Sequence, residues 1–90
     1  MNAYRVIYED KVDDDIKGIS TNVLDEIKGK IDWLGLYAKE IRHQALKGNR
    51  YKGKYKIRVG DYRVLYSVSH REHLIRIEEI AHRSKIYKER

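Results

Sequence analysis

The sequence contains no cysteine, no proline and no phenylalanine, and it has no long hydrophobic run. Without cysteine the chain forms neither a disulfide nor a thiolate metal site, so we expect it in a reducing compartment, the cytoplasm. No apolar stretch approaches the roughly 18 residues that a membrane span needs, and the N-terminus lacks the apolar core of a signal peptide. We therefore expect one soluble domain over residues 1–90, without a membrane segment.

Basic residues are concentrated in the middle of the chain. Residues 39–63 carry nine basic and two acidic side chains, whereas residues 1–38 carry five and eight. The chain has a net charge of +6 and eight tyrosines. A basic segment rich in tyrosine is typical of a nucleic-acid surface, because cations bind phosphates and aromatic rings stack on bases. An acidic protein partner would use the same surface, so charge alone leaves both interpretations open.

Residues 55–66 predict a β-hairpin around the dipeptide Gly60-Asp61. Period-2 alternation flanks a two-residue loop that opens on glycine, which suits a type II′ turn and fixes the register with Val59 opposite Tyr62. Partners across an antiparallel pair share a face, so the apolar and basic residues separate. The apolar face carries Tyr55, Ile57, Val59, Tyr62, Val64 and Tyr66, and the opposite face carries Lys56, Arg58 and Arg63.

This register places Arg58 directly opposite Arg63. Like charges in such a pair cost on the order of 0.2 to 1 kcal/mol when nothing neutralises them. The arrangement therefore suggests a bound anion or an acidic partner, although a solvated basic face is compatible with the same pattern.

The N-terminal part of the chain predicts one strand and two helices. Residues 4–8 alternate as a short strand, and apolar residues at positions 12, 16 and 19 follow helical spacing with Asp10 as the cap. Ser20 or Thr21 caps a longer helix whose apolar stripe runs to Leu34.

Beyond the hairpin, Leu74–Ala81 predicts a last strand. The element order β-α-α-β-β-β predicts an α+β fold in which two N-terminal helices pack on one face of a four-stranded, antiparallel-rich sheet. The uncovered face is then the one to which the basic residues of the hairpin point.

Residues 47–54 contain two glycines and no apolar periodicity, which predicts a mobile loop leading into the hairpin. The cations of this loop are expected to reach a polyanion; they are Lys47, Arg50, Lys52 and Lys54. His70 and His73 are expected in a polar turn and not as metal ligands, because no acid or cysteine lies at a spacing that completes a site. We expect no metal and no other cofactor.

Two segments of the chain, YKIRVGDYRVLY at residues 55–66 and AHRSKIY at residues 81–87, resemble the RelE/ParE superfamily of bacterial and archaeal toxin–antitoxin toxins. The resemblance runs along the whole length. It implies a RelE-like fold and a metal-independent endoribonuclease that enters the ribosomal A site and cleaves the mRNA there, inhibiting translation. It also implies a cognate antitoxin that holds the toxin inactive in a heteromeric complex.

The resemblance assigns catalytic roles to five positions. In RelE-like enzymes, basic residues on the two central strands and near the end of the last strand surround the scissile phosphate, with a tyrosine close to the C-terminus. The matching positions are Lys56, Arg58, Arg63, Arg83 and Tyr87.

Roles within this set are only partly defined. Arg63 and Arg83 suit charge stabilisation, because guanidinium stays protonated and binds phosphate through two donors. Tyr87 is either the general base, activated by neighbouring cations, or a ring that stacks on a base. Lys56 is a competing base or a stabiliser, and Arg58 contacts the phosphate or the leaving group.

His82 precedes Arg83, and histidines near this end of the chain are catalytic in some relatives. We expect it either to take part directly in the reaction or to orient its neighbours, and we count it with the RNA-binding residues.

A ParE-like toxin is the alternative, since ParE toxins share the fold, are not nucleases and bind DNA gyrase. ParE toxins generally lack part of the basic set and the terminal tyrosine, so the complete set favours the nuclease. A nucleic-acid or antitoxin-binding module without activity is a third possibility.

Overall fold

Residues 3–88 form a mixed sheet with one long helix against one face and two six-residue helices. The computed structural model describes the backbone of residues 3–88 and the side chains of residues 3–85. A 3-10 turn, Asn49–Tyr51, precedes the hairpin. The other elements, in chain order, are β1 (Arg5–Tyr8), α1 (Asp10–Asp15), α2 (Thr21–Tyr37), β2 (Gln44–Ala45), β3 (Tyr55–Val59), β4 (Tyr62–Ser69), β5 (Leu74–His82) and α3 (Arg83–Lys88).

The sheet has five strands in the order β1-β5-β4-β3-β2. β1 runs parallel to β5, with Arg5 opposite Leu74, and the other pairs are antiparallel. The predicted α+β fold is therefore confirmed, but the strand count of four is wrong. Gln44–Ala45 adds a fifth strand at the β3 edge, and two residues are too few to show any periodicity.

The hairpin has the predicted register, with Tyr55 opposite Tyr66, Arg58 opposite Arg63 and Val59 opposite Tyr62. Gly60 has a φ of 58°, and His73 is the one non-glycine among the described residues with a positive φ. Asp61 therefore has a negative φ, and a positive φ followed by a negative one is the type II′ pattern. A two-residue loop that opens on glycine thus predicted both the turn and the pairing correctly.

The helix α2 lies close to β1, and Gly35 makes this approach possible. Tyr4 N–H donates to the Gly35 carbonyl oxygen at 2.8 Å. A Cβ at Gly35 would lie 3.0 Å from Cγ2 of Val6, so a side chain would push the helix off the strand. At the other end of α2, the predicted cap is confirmed, since Ser20 Oγ accepts from Val23 N–H at 3.4 Å.

The helix α1 extends the β5 edge beyond the end of β1. Its N-cap is Glu9, whose side chain makes no capping hydrogen bond, so the prediction of Asp10 as the cap is wrong by one residue. Asp15, at the far end of α1, accepts from Ile80 N–H at 3.0 Å. Because β1 ends opposite Ile77, this carboxylate takes the place of a strand partner for β5.

Helices and sheet enclose one hydrophobic core. Its fully buried side chains come from α2, β4 and β5; the largest are Tyr66, Ile27, Ile31, Leu34, Ile75, Ile77 and Val64. No helix within residues 3–88 is long and apolar enough to cross a membrane.

Candidate active site

Four cations gather where the hairpin turn meets the end of β5, and we call Lys56, Arg58, Arg63 and Arg83 the basic corner. Lys56 and Arg58 lie on β3 and Arg63 on β4, all on the face of the sheet opposite the core. Arg58 and Arg63 are direct cross-strand partners. The predicted juxtaposition of two guanidinium groups is therefore present.

The two paired arginines differ in exposure. Arg58 is exposed, and its Nε donates to the Gly60 carbonyl oxygen at 3.2 Å. Arg63 is only 8% exposed, and its Nη1 lies 3.4 Å from the Tyr62 carbonyl oxygen. Ala81, opposite Arg63, is 6% exposed, and α3 packs against both strands. This part of the sheet face is therefore covered, contrary to the expectation of an open face.

Arg83 is held beside the turn by the backbone. Its N–H donates to the Asp61 carbonyl oxygen at 2.7 Å, and its Nη1 lies 4.0 Å from Asp61 Oδ1. The Arg83 side chain is 56% exposed. The turn thus fixes the first residue of α3 and leaves the guanidinium accessible to a ligand.

His82 is the last residue of β5 and lies opposite Tyr62. The two rings meet edge to face, with centroids 5.3 Å apart and planes at 89°. His82 Nδ1 lies 3.1 Å from Ser84 Oγ and 3.3 Å from Ser84 N. Tyr87 falls within α3, four residues after Arg83, and its side chain lies outside the described residues.

The loop before the hairpin is ordered by local hydrogen bonds, such as that from Lys54 N–H to the Tyr51 carbonyl oxygen at 2.9 Å. Lys47 and Lys52 are exposed, and the Arg50 guanidinium lies 5.2 Å from the centre of the Tyr51 ring. Lys54 is bound within the fold, with Nζ 2.6 Å from Glu78 Oε2. RNA contact by these four cations remains a prediction.

A cleft of about 230 Å³ opens at the β3 edge. Four cations and several apolar or aromatic side chains share its wall; its lining is Lys30, Trp33, Ile41, Arg42, Gln44, Lys56, Ile57, Arg58 and Tyr66. Lys30 Nζ lies 4.0 Å from the centre of the Trp33 ring. Lys56 and Arg58 therefore belong to the basic corner and also line the cleft, which combines positive charge with aromatic surface.

A second polar cluster lies on the core side of the sheet, at the end away from the hairpin turn, and sequence reasoning missed it. We call Tyr4, His43, Tyr55, Tyr66, His70 and His73 the histidine–tyrosine cluster. His43 immediately precedes β2 and Tyr66 lies on β4, 23 residues further along the chain, so no local pattern signals the pair. Parity predicts only that Tyr66 is buried, and this is confirmed.

Hydrogen bonds fix the roles of the groups in this cluster. His43 Nε2 lies 2.8 Å from the Ala38 carbonyl oxygen, which can only accept, so Nε2 carries a hydrogen. In the neutral ring Nδ1 then accepts from the Tyr66 hydroxyl at 2.7 Å. His70 Nδ1 lies 2.7 Å from the Tyr4 hydroxyl. Burial raises the pKa of Tyr66, so its hydroxyl stays protonated as the donor.

Among residues 3–88 no group of three or more histidines, cysteines or carboxylates is placed to hold a metal ion.

Residues 6–87 match the family model described as the ParE toxin of the type II toxin–antitoxin system parDE. The chain belongs to this toxin family. It is thus a type II toxin of the RelE/ParE superfamily, as the resemblance implied. Comparison with curated protein sequences finds no match.

Solved structures of RelE toxins share the fold of this ParE-family toxin. RelBE2 from Mycobacterium tuberculosis, a toxin–antitoxin complex, matches at 20% identity with a TM-score of 0.76, over 90% of this chain and 99% of that one. The archaeal RelE–RelB complex from Pyrococcus horikoshii matches at 25% and 0.73, over 92% and 98%. The isolated RelE toxin of E. coli matches at 23% and 0.70, over 97% and 94%.

Proposed function

We propose that this toxin is an endoribonuclease that cleaves mRNA in the ribosomal A site, inhibits translation and so arrests growth. One observation carries the proposal: Arg58 and Arg63 lie directly opposite each other, and Asp61 holds Arg83 beside them. Three guanidinium groups around one turn create a positive potential that attracts anions. A phosphodiester is such an anion, and guanidinium matches its geometry through paired donors.

The chemistry needs three kinds of group. In cleavage by the ribose 2′-hydroxyl, the oxygen attacks the adjacent phosphorus, the 2′ proton leaves, charge on the phosphoryl oxygens is stabilised and the departing 5′ oxygen gains a proton. The products are a 2′,3′-cyclic phosphate and a 5′-hydroxyl. No redox partner or further reactant is required.

Positions in the basic corner suggest how these roles are divided. Arg63 is nearly buried and held against the turn, so it is a preorganised stabiliser of phosphoryl charge. Arg83 is accessible and stabilises the same charge from α3. Arg58 contacts the phosphate or the leaving group, and Lys56 is a base or a stabiliser at the border of the cleft. Tyr87, as base or stacking ring, completes the set.

The cleft supports single-stranded RNA as the substrate. Its four cations can follow the backbone of the strand, while Trp33 and neighbouring apolar groups provide a face for an unstacked base. Exposed Lys47 and Lys52, together with Arg50, extend the positive charge beyond the cleft.

An antitoxin is the proposed partner. The matched structures include complexes in which RelE is bound to RelB or to a peptide of that antitoxin, and one described as the toxin–antitoxin complex RelBE2. Acidic groups of such a partner would neutralise the Arg58–Arg63 pair, which the cytoplasmic toxin otherwise offers to RNA. An antitoxin that left Lys56, Arg58 and Arg63 untouched would contradict this part of the proposal.

Gyrase inhibition is the second candidate, because the matching family model is named for ParE. In that case the basic corner would be a binding surface with no reaction to perform. The two candidates differ in whether a phosphodiester bond is broken in the presence of translating ribosomes.

The deciding experiment combines ribosomes programmed with a defined mRNA and, in parallel, gyrase with relaxed plasmid. We expect cuts within the A-site codon, ends that carry a cyclic phosphate, and normal supercoiling. Arg63→Ala is expected to lose cleavage by at least about 100-fold, because a preorganised charge stabiliser contributes on that scale. A matched control is Arg71→Ala, an exposed arginine in the turn between β4 and β5.

Supercoiling inhibition without cuts would assign the toxin to the gyrase class. Cuts of equal rate in the Arg63→Ala protein, with its fold verified by circular dichroism, would remove Arg63 from the site.

A further inference from the structure

The last strand passes directly into the last helix, with no loop between them: β5 ends at His82 and α3 begins at Arg83. The first amides of a helix have no partner inside it, and a side-chain acceptor at the preceding residue usually supplies one. Ser84 N–H, the second amide of α3, lies 3.3 Å from His82 Nδ1. An N-cap acceptor stands in the same relation to its helix.

We infer that His82 is the N-cap of α3 and is a positioning residue for Arg83, one that works only as the neutral imidazole with its hydrogen on Nε2. The inference deepens the proposed function and rests on it for the consequence in cleavage, whereas the cap itself is a statement about the fold.

Three contacts act on the same junction. The His82 ring lies edge to face with Tyr62, which fixes its plane. Arg83 N–H binds the Asp61 carbonyl oxygen at 2.7 Å, so the first amide of α3 is satisfied by the hairpin turn and the second by the imidazole. A six-residue helix has too few internal hydrogen bonds to be stable alone, so these two hydrogen bonds stabilise its first turn.

The position of Arg83 depends on this junction. Its side chain starts at the first helical residue, so loss of the cap lets the start of α3 fray and moves the guanidinium away from Arg58 and Arg63. The Asp61 carboxylate, 4.0 Å from Arg83, is too far for a close ion pair and does not replace the cap.

Protonation removes the cap. An imidazolium has hydrogens on both nitrogens, so Nδ1 cannot accept from Ser84. Tyr62 is the titratable group packed on the ring, and the residues next to this pair in the chain, Asp61 and Arg83, are charged. A positive ring would also face the positive end of α3.

The test compares His82→Asn with His82→Gln and His82→Ala. Asparagine places an acceptor oxygen where Nδ1 lies, whereas glutamine places its polar group nearer to Nε2, and only the first can cap. Hydrogen exchange of the Ser84 amide is measured by NMR, and cleavage is measured on programmed ribosomes. Ser84→Ala is the control, since it removes the hydroxyl near Nδ1 and keeps the amide.

We expect the amide of residue 84 to be protected in wild type, His82→Asn and Ser84→Ala. In His82→Gln and His82→Ala this amide should exchange faster by roughly 2- to 30-fold, the scale of one lost cap. Cleavage follows the same order among the three His82 variants, higher in His82→Asn than in His82→Gln and His82→Ala.

Equal exchange of the Ser84 amide in wild type and His82→Ala would overturn the cap. If His82→Asn keeps protection but is as inactive as His82→Ala, His82 transfers a proton, and the positioning role is wrong. A wild-type toxin that cuts no RNA would refute the proposed function instead, and the exchange data would still decide the cap.

Discussion

The two ends of the sheet use their polar side chains for different purposes. At the far end, the histidine–tyrosine cluster supplies its own partners: the Tyr66 hydroxyl binds His43, and His43 binds the Ala38 carbonyl oxygen. Among the described residues, no buried side-chain nitrogen or oxygen lacks a hydrogen-bond partner. At the basic corner, Arg83 Nη1 lies 4.0 Å from Asp61 Oδ1, and the Arg83 side chain is 56% exposed.

This difference separates stability from ligand binding. Where the chain supplies both donor and acceptor, removing one leaves the other buried and unsatisfied, so the fold loses free energy. Where exposed cations lie close together, removing one relieves repulsion and the loss falls on the ligand. Variants at the two ends should therefore affect different measurements.

The largest effect is expected at the basic corner. Arg83→Ala should lower cleavage on programmed ribosomes by about 100-fold or more, because it removes a charge stabiliser. Its free energy of unfolding should change by no more than about 0.5 kcal/mol, since the side chain is largely exposed. Lys17→Ala is the control for loss of a positive charge, because it removes an exposed ion pair with Asp14 in the N-terminal part of the chain. Equal cleavage by both variants would place Arg83 outside the site.

At the other end, His43→Ala should lower the free energy of unfolding by about 1–3 kcal/mol, because it leaves the buried Tyr66 hydroxyl without its partner. Cleavage per folded molecule should be retained. Urea titration followed by far-UV circular dichroism gives the first quantity.

Two further variants make this test more specific. Tyr66→Phe and Tyr37→Phe each remove one phenolic oxygen, but only Tyr66 is buried, while Tyr37 is exposed. A loss of stability in Tyr66→Phe without one in Tyr37→Phe would attribute the effect to the His43–Tyr66 bond. Equal losses would contradict the comparison between the two ends.

The turn is the one place at the basic corner where backbone conformation determines stability. Gly60→Ala should cost about 1–3 kcal/mol, because a φ of 58° strains any residue with a Cβ. Gly29→Ala, at an exposed position in α2 with open space around it, should instead gain about 0.5–1 kcal/mol from helix propensity. Thermal unfolding of the two proteins measures this opposite sign; a stable Gly60→Ala protein would argue against the type II′ turn.

The smallest effect is a pH dependence. Burial raises the pKa of Tyr66 above its unfolded value of about 10, so the folded state keeps a proton that the unfolded state loses. The stabilisation is complete below about pH 10 and declines as pH rises above it, by at most about 1.4 kcal/mol per pH unit. Urea midpoints between pH 9 and pH 11.5 should fall more steeply in wild type than in Tyr66→Phe. Parallel slopes would mean that the hydroxyl titrates alike in both states.

The hairpin could be predicted from sequence because its information is local. Alternation around Gly60-Asp61 determines the faces and the register, so the Arg58–Arg63 pair follows from the pattern alone. The stripe of α2 and its Ser20 cap are local signals of the same kind.

The missed features depend on distant contacts. The segment of α3 has no apolar periodicity, and its start is tied to the Asp61 carbonyl oxygen and to His82, neither of which a pattern reveals. Arg63 is buried where α3 packs nearby. The sequence pattern did not predict this helix, and it therefore placed Arg63 on an uncovered face of the sheet. His43 meets Tyr66 only when the chain after α2 returns to the sheet.

The parallel pairing of β1 with β5 sets the order in which the toxin can become functional. Arg5 lies opposite Leu74, so the first strand to be synthesised waits for the last one before it gains a neighbour in the sheet. β5 ends at His82, and the next residue is Arg83 of the basic corner. The segment β5–α3 therefore completes both core and site, and folding depends on contacts between segments that are distant in sequence. A product that stops before residue 74 lacks the strand partner of β1 and also lacks Arg83.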